Sequence, residues 1–269
     1  MTREAPLLAL VAALACAPAL RAPAPLPPSR GGEGGAAAPL LAEAEEAFTR
    51  RPDPAEVRRA AGLYREAAQA DPRGIEGLYG AARAAVWLAQ RERSGEERAR
   101  RAAEAVELGQ ACEVRAPQDA RCDYALALAL GVQARERPST VREGLRLMVE
   151  RLRRAAEREP ALDDAGPDRV LALVLLRAPA WPIGPGDPEE GLAAARKAAA
   201  RAPEFPPNPL ALAEGLAASG DVAGAREAAR RGLALAEARK AAGDPDAGEW
   251  IAEAQRLVAS IEEPAAPAP

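Results

Sequence analysis

Histidine is missing altogether from the 269 residues. That removes the commonest general base and the commonest metal ligand together, and neither a Ser-His-Asp nor a Cys-His nucleophile can be assembled without it. No G-x-x-x-x-G-K-S/T loop is present to cradle a phosphate, and no C-x-x-C pair suggests zinc or redox chemistry. Aromatic residues make up only 3% of the chain, and Ile and Thr are scarce as well, so the residues that strands favour are in short supply. Blocks of one charge sign are also lacking: 36 basic and 40 acidic residues are mixed along the chain to a net charge of -4. Even the basic run 91–101 is interrupted by glutamates and reads as a solvated helix face. This argues against a nucleic-acid partner held through phosphates. The carboxylates that remain are scattered among arginines, as expected of solvated i,i+4 pairs. The chain is therefore expected not to be an enzyme and to need neither cofactor nor metal.

What is abundant is Ala, Leu, Arg and Glu, all strong helix formers. The chain opens with Arg3 and an apolar stretch from Leu7 to Leu14, followed by Ala13-Leu14-Ala15-Cys16. The stretch is shorter than the roughly 20 residues a transmembrane helix needs and reads as a signal peptide over residues 1–15. Small residues before Cys16 fit two routes: ordinary cleavage, or lipoprotein cleavage followed by acylation of Cys16. The motif resembles a bacterial lipobox, with Ala13 where lipoboxes usually carry Leu. By that resemblance, Ala17 in the next position implies an outer-membrane lipoprotein on the periplasmic face of the envelope. The two other cysteines, Cys112 and Cys122, flank a helix corner at Ala116-Pro117. They are read either as a disulfide suited to an oxidising compartment or as two small buried side chains.

Residues 16–39 are Pro, Ala and Gly with little else and read as a linker; residues 263–269 read as a disordered tail. At roughly 3 Å per residue the linker could hold a folded body several tens of Å from a lipid anchor. The body, 40–262, is punctuated by helix starts. Asp53-Pro54, Ser94-Gly95 and Asp187-Pro188 each place a capping oxygen three residues before a Glu, and Asn208-Pro209 is read as a fourth start. The signals predict helices at 38–50, 54–71, 75–90, 95–115, 119–136, 140–159, 166–177, 188–201, 208–218, 222–242 and 246–262.

Helix ends recur with a period. Pro72, Pro117, Pro160, Pro203 and Pro245 follow long helices at spacings of 45, 43, 43 and 42 residues. That is a repeat of two helices, each unit able to bury its apolar stripe only against its neighbours. Ala60, Tyr64, Ala67 and Pro72 stand at the intervals of a tetratricopeptide (TPR) second helix. A fuller match runs through Leu212, Ala213, Leu216, Gly220, Ala225, Ala229 and Gly232. The chain thus resembles the TPR family, with units longer than the usual ~34 residues. The expected fold is all-α, a solenoid of about five TPR-like helix pairs.

A narrower resemblance rests on Gly-Pro-Asp-Arg at 166–169, Ala-Pro-Ala-Trp-Pro at 178–182, Gly-Pro-Gly-Asp at 184–187 and Pro-Pro-Asn at 206–208. These are similar to the T component (TatT-like) of TRAP transporter systems, periplasmic lipoproteins of degenerate TPR type. The resemblance implies docking on a periplasmic substrate-binding protein. The TPR resemblance implies a general interaction scaffold for a protein or peptide, bound at the inner face by the first helices of each pair; Tyr79, Arg83, Arg169 and Asn208 are the candidates there. The loop 178–187 either buries Trp181 against the neighbouring pair or presents Trp181 and Arg177 to a partner. Tyr79, Trp87 and Tyr124 also fit a helix-packing role.

Overall fold

The computed structural model describes residues 18–20 and 34–262. The expected leader, Cys16 and the tail 263–269 lie outside them. Among the described residues there are eleven α-helices: α1 (Ala37–Thr49), α2 (Pro54–Ala70), α3 (Glu76–Arg91), α4 (Gly95–Arg115), α5 (Ala120–Glu136), α6 (Val141–Arg158), α7 (Leu162–Arg177), α8 (Pro188–Arg201), α9 (Pro207–Ala218), α10 (Val222–Ala241) and α11 (Ala247–Glu262). Polar caps set five of the eleven starts. The side chains of Asp53, Ser94, Asp119, Asp187 and Asp221 each accept a backbone N–H from the first turn of the helix that follows.

Each helix packs antiparallel on the next, and the odd-numbered helices also pack on one another, α1 on α3, α3 on α5, α7 on α9 and α9 on α11. The even-numbered helices do not. The result is a two-layered α-solenoid with odd helices lining the inner face. Its core is built from small side chains: Ala81, Ala84, Ala129, Ala172, Ala195 and Ala213 are wholly buried beside Leu126, Leu130 and Leu152. The alanines let helices approach closely, and Gly77 carries this further: a methyl group there would stand 2.5 Å from the Ala68 backbone nitrogen. Gly220, at φ +86°, makes the left-handed turn between α9 and α10.

Three features differ from the sequence expectation. The linker expected over residues 16–39 is not free along its whole length. Gly34–Ala36 form a 3₁₀ turn that leads into α1, because the Ala run is a good helix former and Pro39 falls in the first turn, where its missing N–H costs nothing. Ala19 is 2% exposed and belongs to the central core. The start expected at Asn208 lies earlier, at Pro207, and Asn208 caps nothing; with prolines at 206, 207 and 209 lacking N–H groups, its amide is left free for other partners. Finally, α7 opens with Asp163, Asp164 and Ala165 at φ of 51°, 52° and 63° and becomes right-handed only from Gly166. A left-handed non-glycine residue costs about 1–2 kcal/mol, so neighbouring contacts must hold this turn in place.

Candidate functional site

Those contacts form a buried polar network on the inner face. The Tyr124 hydroxyl donates to Asp163 Oδ2 at 2.7 Å, and Arg169 Nη2 donates to the same oxygen at 3.0 Å. Arg169 Nη1 reaches the Asp163 and Asp164 carbonyls and Asn208 Oδ1. Asn208, completely buried, donates through Nδ2 to the carbonyls of Asp164 at 2.9 Å and Ala202 at 2.8 Å. Burial pushes the Tyr124 pKa up, and the Asp163 carboxylate adds to it. The structure therefore brings Arg169 and Asn208 together, but their hydrogen-bonding capacity is spent on the left-handed turn and the neighbouring loop. They position α7 and offer little to a ligand.

Tyr79 and Arg83 lie one turn apart on α3 and are half-buried. The Arg83 guanidinium stands 5.0 Å from the Phe48 ring centroid and 5.4 Å from that of Tyr79, an arrangement that fixes the cation by its interaction with two ring faces. Its nearest carboxylate, Glu45, is at 3.8 Å, beyond hydrogen-bond range. Burial works against the cation, yet Tyr79, Glu45 and Asp163 outweigh it and raise the Arg83 pKa; the Tyr79 phenol is pushed up to about 12, chiefly by burial. Arg83 is thus a permanently charged, oriented donor with room for another acceptor.

Gln90 follows Arg83 by seven residues, so it shares the same face of α3, about 10 Å along the axis. There the inner layer is interrupted: α5 and α7 meet over only a few residues. The gap is a pocket of about 490 Å³ walled by Leu128 and Val132 of α5, Leu145 and Met148 of α6, and Leu173 and Val174 of α7. Gln90, Arg135 and Arg177 supply its polar lining, and Ala178 and Pro179 close one side. An apolar cavity of this size with a few polar groups is the usual form of a small-ligand or side-chain site. Arg177 is not free: it donates to Glu214, with a further contact to Glu253 at 3.5 Å.

The loop after α7 is irregular, with an Ala180–Gly186 bridge and a cis Trp181–Pro182 peptide. Trp181 is 86% exposed and Ile183 72%, which overturns the reading that buries Trp181 against the neighbouring pair. Trp87 and Tyr124 are buried packing residues. Cys112 of α4 and Cys122 of α5 are joined by a disulfide, Cα–Cα 5.2 Å. Each is followed by a carboxylate, Glu113 and Asp123; both meet Arg151 and Arg154 of α6, and Asp123 also meets Arg158. Burial, together with Arg154 and Arg158, lowers Arg151 to about 10. This ion cluster was not singled out from sequence; the signal for it was the spacing of arginines along one face of α6. Among the described residues no Cys, Asp or Glu groups converge as metal ligands.

No protein-family model matches the chain, and no curated protein matches it. Solved structures do match. TTC0263, a thermophilic TPR protein in Thermus thermophilus, aligns at a TM-score of 0.59 and 20% identity, covering 82% of this chain and 99% of its own. The fold is that of a TPR solenoid. PilF of Pseudomonas aeruginosa aligns at a TM-score of 0.52 and 18% identity over 82% of this chain and 91% of its own. Identities this low carry the fold and nothing of function.

Proposed function

We propose that this TPR solenoid is a non-enzymatic binding scaffold of the cell envelope, whose inner face takes a protein segment carrying an acidic group beside apolar side chains. The observation that carries the reading is Arg83, fixed between two rings with donors to spare and on the same helix face as Gln90 at the apolar pocket. A carboxylate on Arg83 with a hydrophobic side chain about 10 Å away in the pocket would use both. Export is part of the reading: Cys16 follows a signal-peptide pattern, and a disulfide between Cys112 and Cys122 suits an oxidising compartment. Acylation of Cys16 would make it a lipoprotein of the outer membrane.

The pocket favours a second reading, an accessory to solute uptake similar to the TatT-like T component, docking on a periplasmic substrate-binding protein. A cavity bordered by Ala178 and Pro179 of the Ala-Pro-x-Trp-Pro loop is what such a component would present. A photo-crosslinking residue at Val174, used in cells and followed by mass spectrometry, tests both readings. A defined envelope protein is expected, with its yield reduced at least tenfold by Arg83→Glu. A yield indifferent to Arg83 would overturn the inner-face assignment. Recovery of a substrate-binding protein would select the second reading.

A further inference from the structure

Two segments converge on the N-terminal half of α6. The first is Pro18–Leu20. The Ala19 backbone N–H donates to Glu143 Oε2 at 2.8 Å, Ala19 is buried, and Leu20 packs on the same core, while Pro18 is exposed. Gly144 of α6 lies beside Ala19, a Cβ built on it standing 3.8 Å from the Ala19 methyl. The second is the loop 178–187, whose Trp181, Gly184 and Pro185 line one groove with Arg146 and Val149 of α6. Glu143 and Arg146 are neighbours on one helix, so the two segments lie within about two turns of each other.

We infer that this edge of the solenoid, the α5–α6 corner with the loop tip Trp181–Ile183, is the face laid against the membrane, with Trp181 and Ile183 in the headgroup layer. Chain connectivity carries the argument. Cys16 precedes the docked Ala19 by three residues, which limits its Cα to about 10 Å from that residue. A lipid on Cys16 therefore holds the α5–α6 corner at the bilayer rather than tethering the body at a distance. The side chains nearby suit that surface. Trp prefers the interface, where its ring is half apolar and its N–H stays wet. None of the described residues covers Trp181 or Ile183. Arg137 and Arg142 at the corner enter no ion pair among the described residues, which leaves them for phosphates. The inference rests on the lipoprotein reading for its geometry, and the experiment separates the two.

The full chain, produced with its own leader, is purified, the acylation state of Cys16 is read by intact mass, and the protein is mixed with vesicles of phosphatidylethanolamine and phosphatidylglycerol containing dibrominated phosphatidylcholine. Bromine quenches tryptophan only within the bilayer. Trp87 is buried and Trp250 is half-buried against the Phe205 ring, so quenching is expected to come from Trp181. Wild type should be quenched, and Trp181→Phe should reduce that quenching at least twofold with unchanged circular dichroism. Acylated protein that binds vesicles without quenching, or quenching equal in the Phe variant, overturns the inference and leaves lipidation standing. Should Cys16 carry no lipid, the lipoprotein reading fails and the same measurement at excess vesicles decides the edge: quenching by Trp181 upholds it, its absence overturns it. Shielding of Trp181 from acrylamide without bromine quenching would assign the surface to a protein partner instead.

Discussion

Arg51, in the corner between α1 and α2, donates from Nε and Nη2 to the carboxylate of Asp246, between α10 and α11, at 2.7–3.1 Å. A second contact, Arg91 of α3 with Glu249 of α11, lies beside it. The first and last pairs of the solenoid thus meet, although α11 packs only on α9 and α10 among the described helices. The superhelix closes through side chains alone.

A closure of this kind should yield to charge and salt. Both partners of the Arg51–Asp246 pair are about four-fifths buried, so screening is incomplete, but each charge-assisted bond contributes only about 1.5–3 kcal/mol. Asp246→Asn together with Glu249→Gln should leave helicity intact and increase the radius of gyration in solution scattering. Raising the salt to 1 M should move wild type in the same direction. Identical scattering curves would mean that core packing alone sets the curvature.

The left-handed turn at 163–165 predicts an outsized effect for one buried amide. Removing the Asn208 side chain deletes three buried hydrogen bonds, two to the Asp164 and Ala202 carbonyls and one from Arg169. At about 0.5–1.5 kcal/mol for each hydrogen bond lost, Asn208→Ala should destabilise by roughly 2–4 kcal/mol in urea unfolding, whereas Asp164→Ala, at an exposed side chain, should cost far less. Equal costs for the two would remove the network as the reason the turn is held.

Helix positions and their repeat were legible because they rest on local signals: caps, prolines and the Ala-rich stripe act within a few residues. The inner face was legible in part. Tyr79 and Arg83 were assigned to it through the TPR resemblance, but nothing local reveals that Phe48 would stack on Arg83 or that Asp246 would meet Arg51, since both depend on how successive pairs rotate. Asn208 looked like a cap because it precedes a proline; the flanking prolines 206, 207 and 209 carry no N–H to cap, and that released it. Asp-Asp-Ala carries no glycine to announce a left-handed turn, so the break between α5 and α7, and the pocket it opens, were invisible.

The disulfide should act on the unfolded chain. Cys112 and Cys122 are ten residues apart, and closing so short a loop removes entropy equivalent to about 3 kcal/mol on the loop-entropy scale. Reduction, or Cys112→Ser with Cys122→Ser, should lower the urea midpoint accordingly without changing the fold. The Glu113–Asp123–arginine cluster joins the same helices to α6, so the double variant should stay helical at room temperature. Loss of α4–α5 helicity on reduction would mean the cluster depends on the bridge.

Asp119 gives a pH dependence with a definite sign. It caps α5, accepting the Arg121 N–H at 2.9 Å, and pairs with the Arg121 guanidinium at 2.7 Å. That guanidinium is the main reason its pKa lies below the ordinary 3.8, with burial opposing. A carboxyl held lower in the folded state stabilises the protein above the unfolded value and loses that contribution as pH falls from about 4 through the folded value. Asp119→Asn keeps the cap acceptor and deletes only the charge. At pH 7 the variant should be less stable, by well under 1 kcal/mol because water reaches the pair, and the gap should close as pH drops below 4. Thermal melts of both proteins at pH 7, 5 and 3 measure it. A gap that persists at pH 3 would show that Asn disturbs the cap itself and that the charge was not what Asp119 contributed.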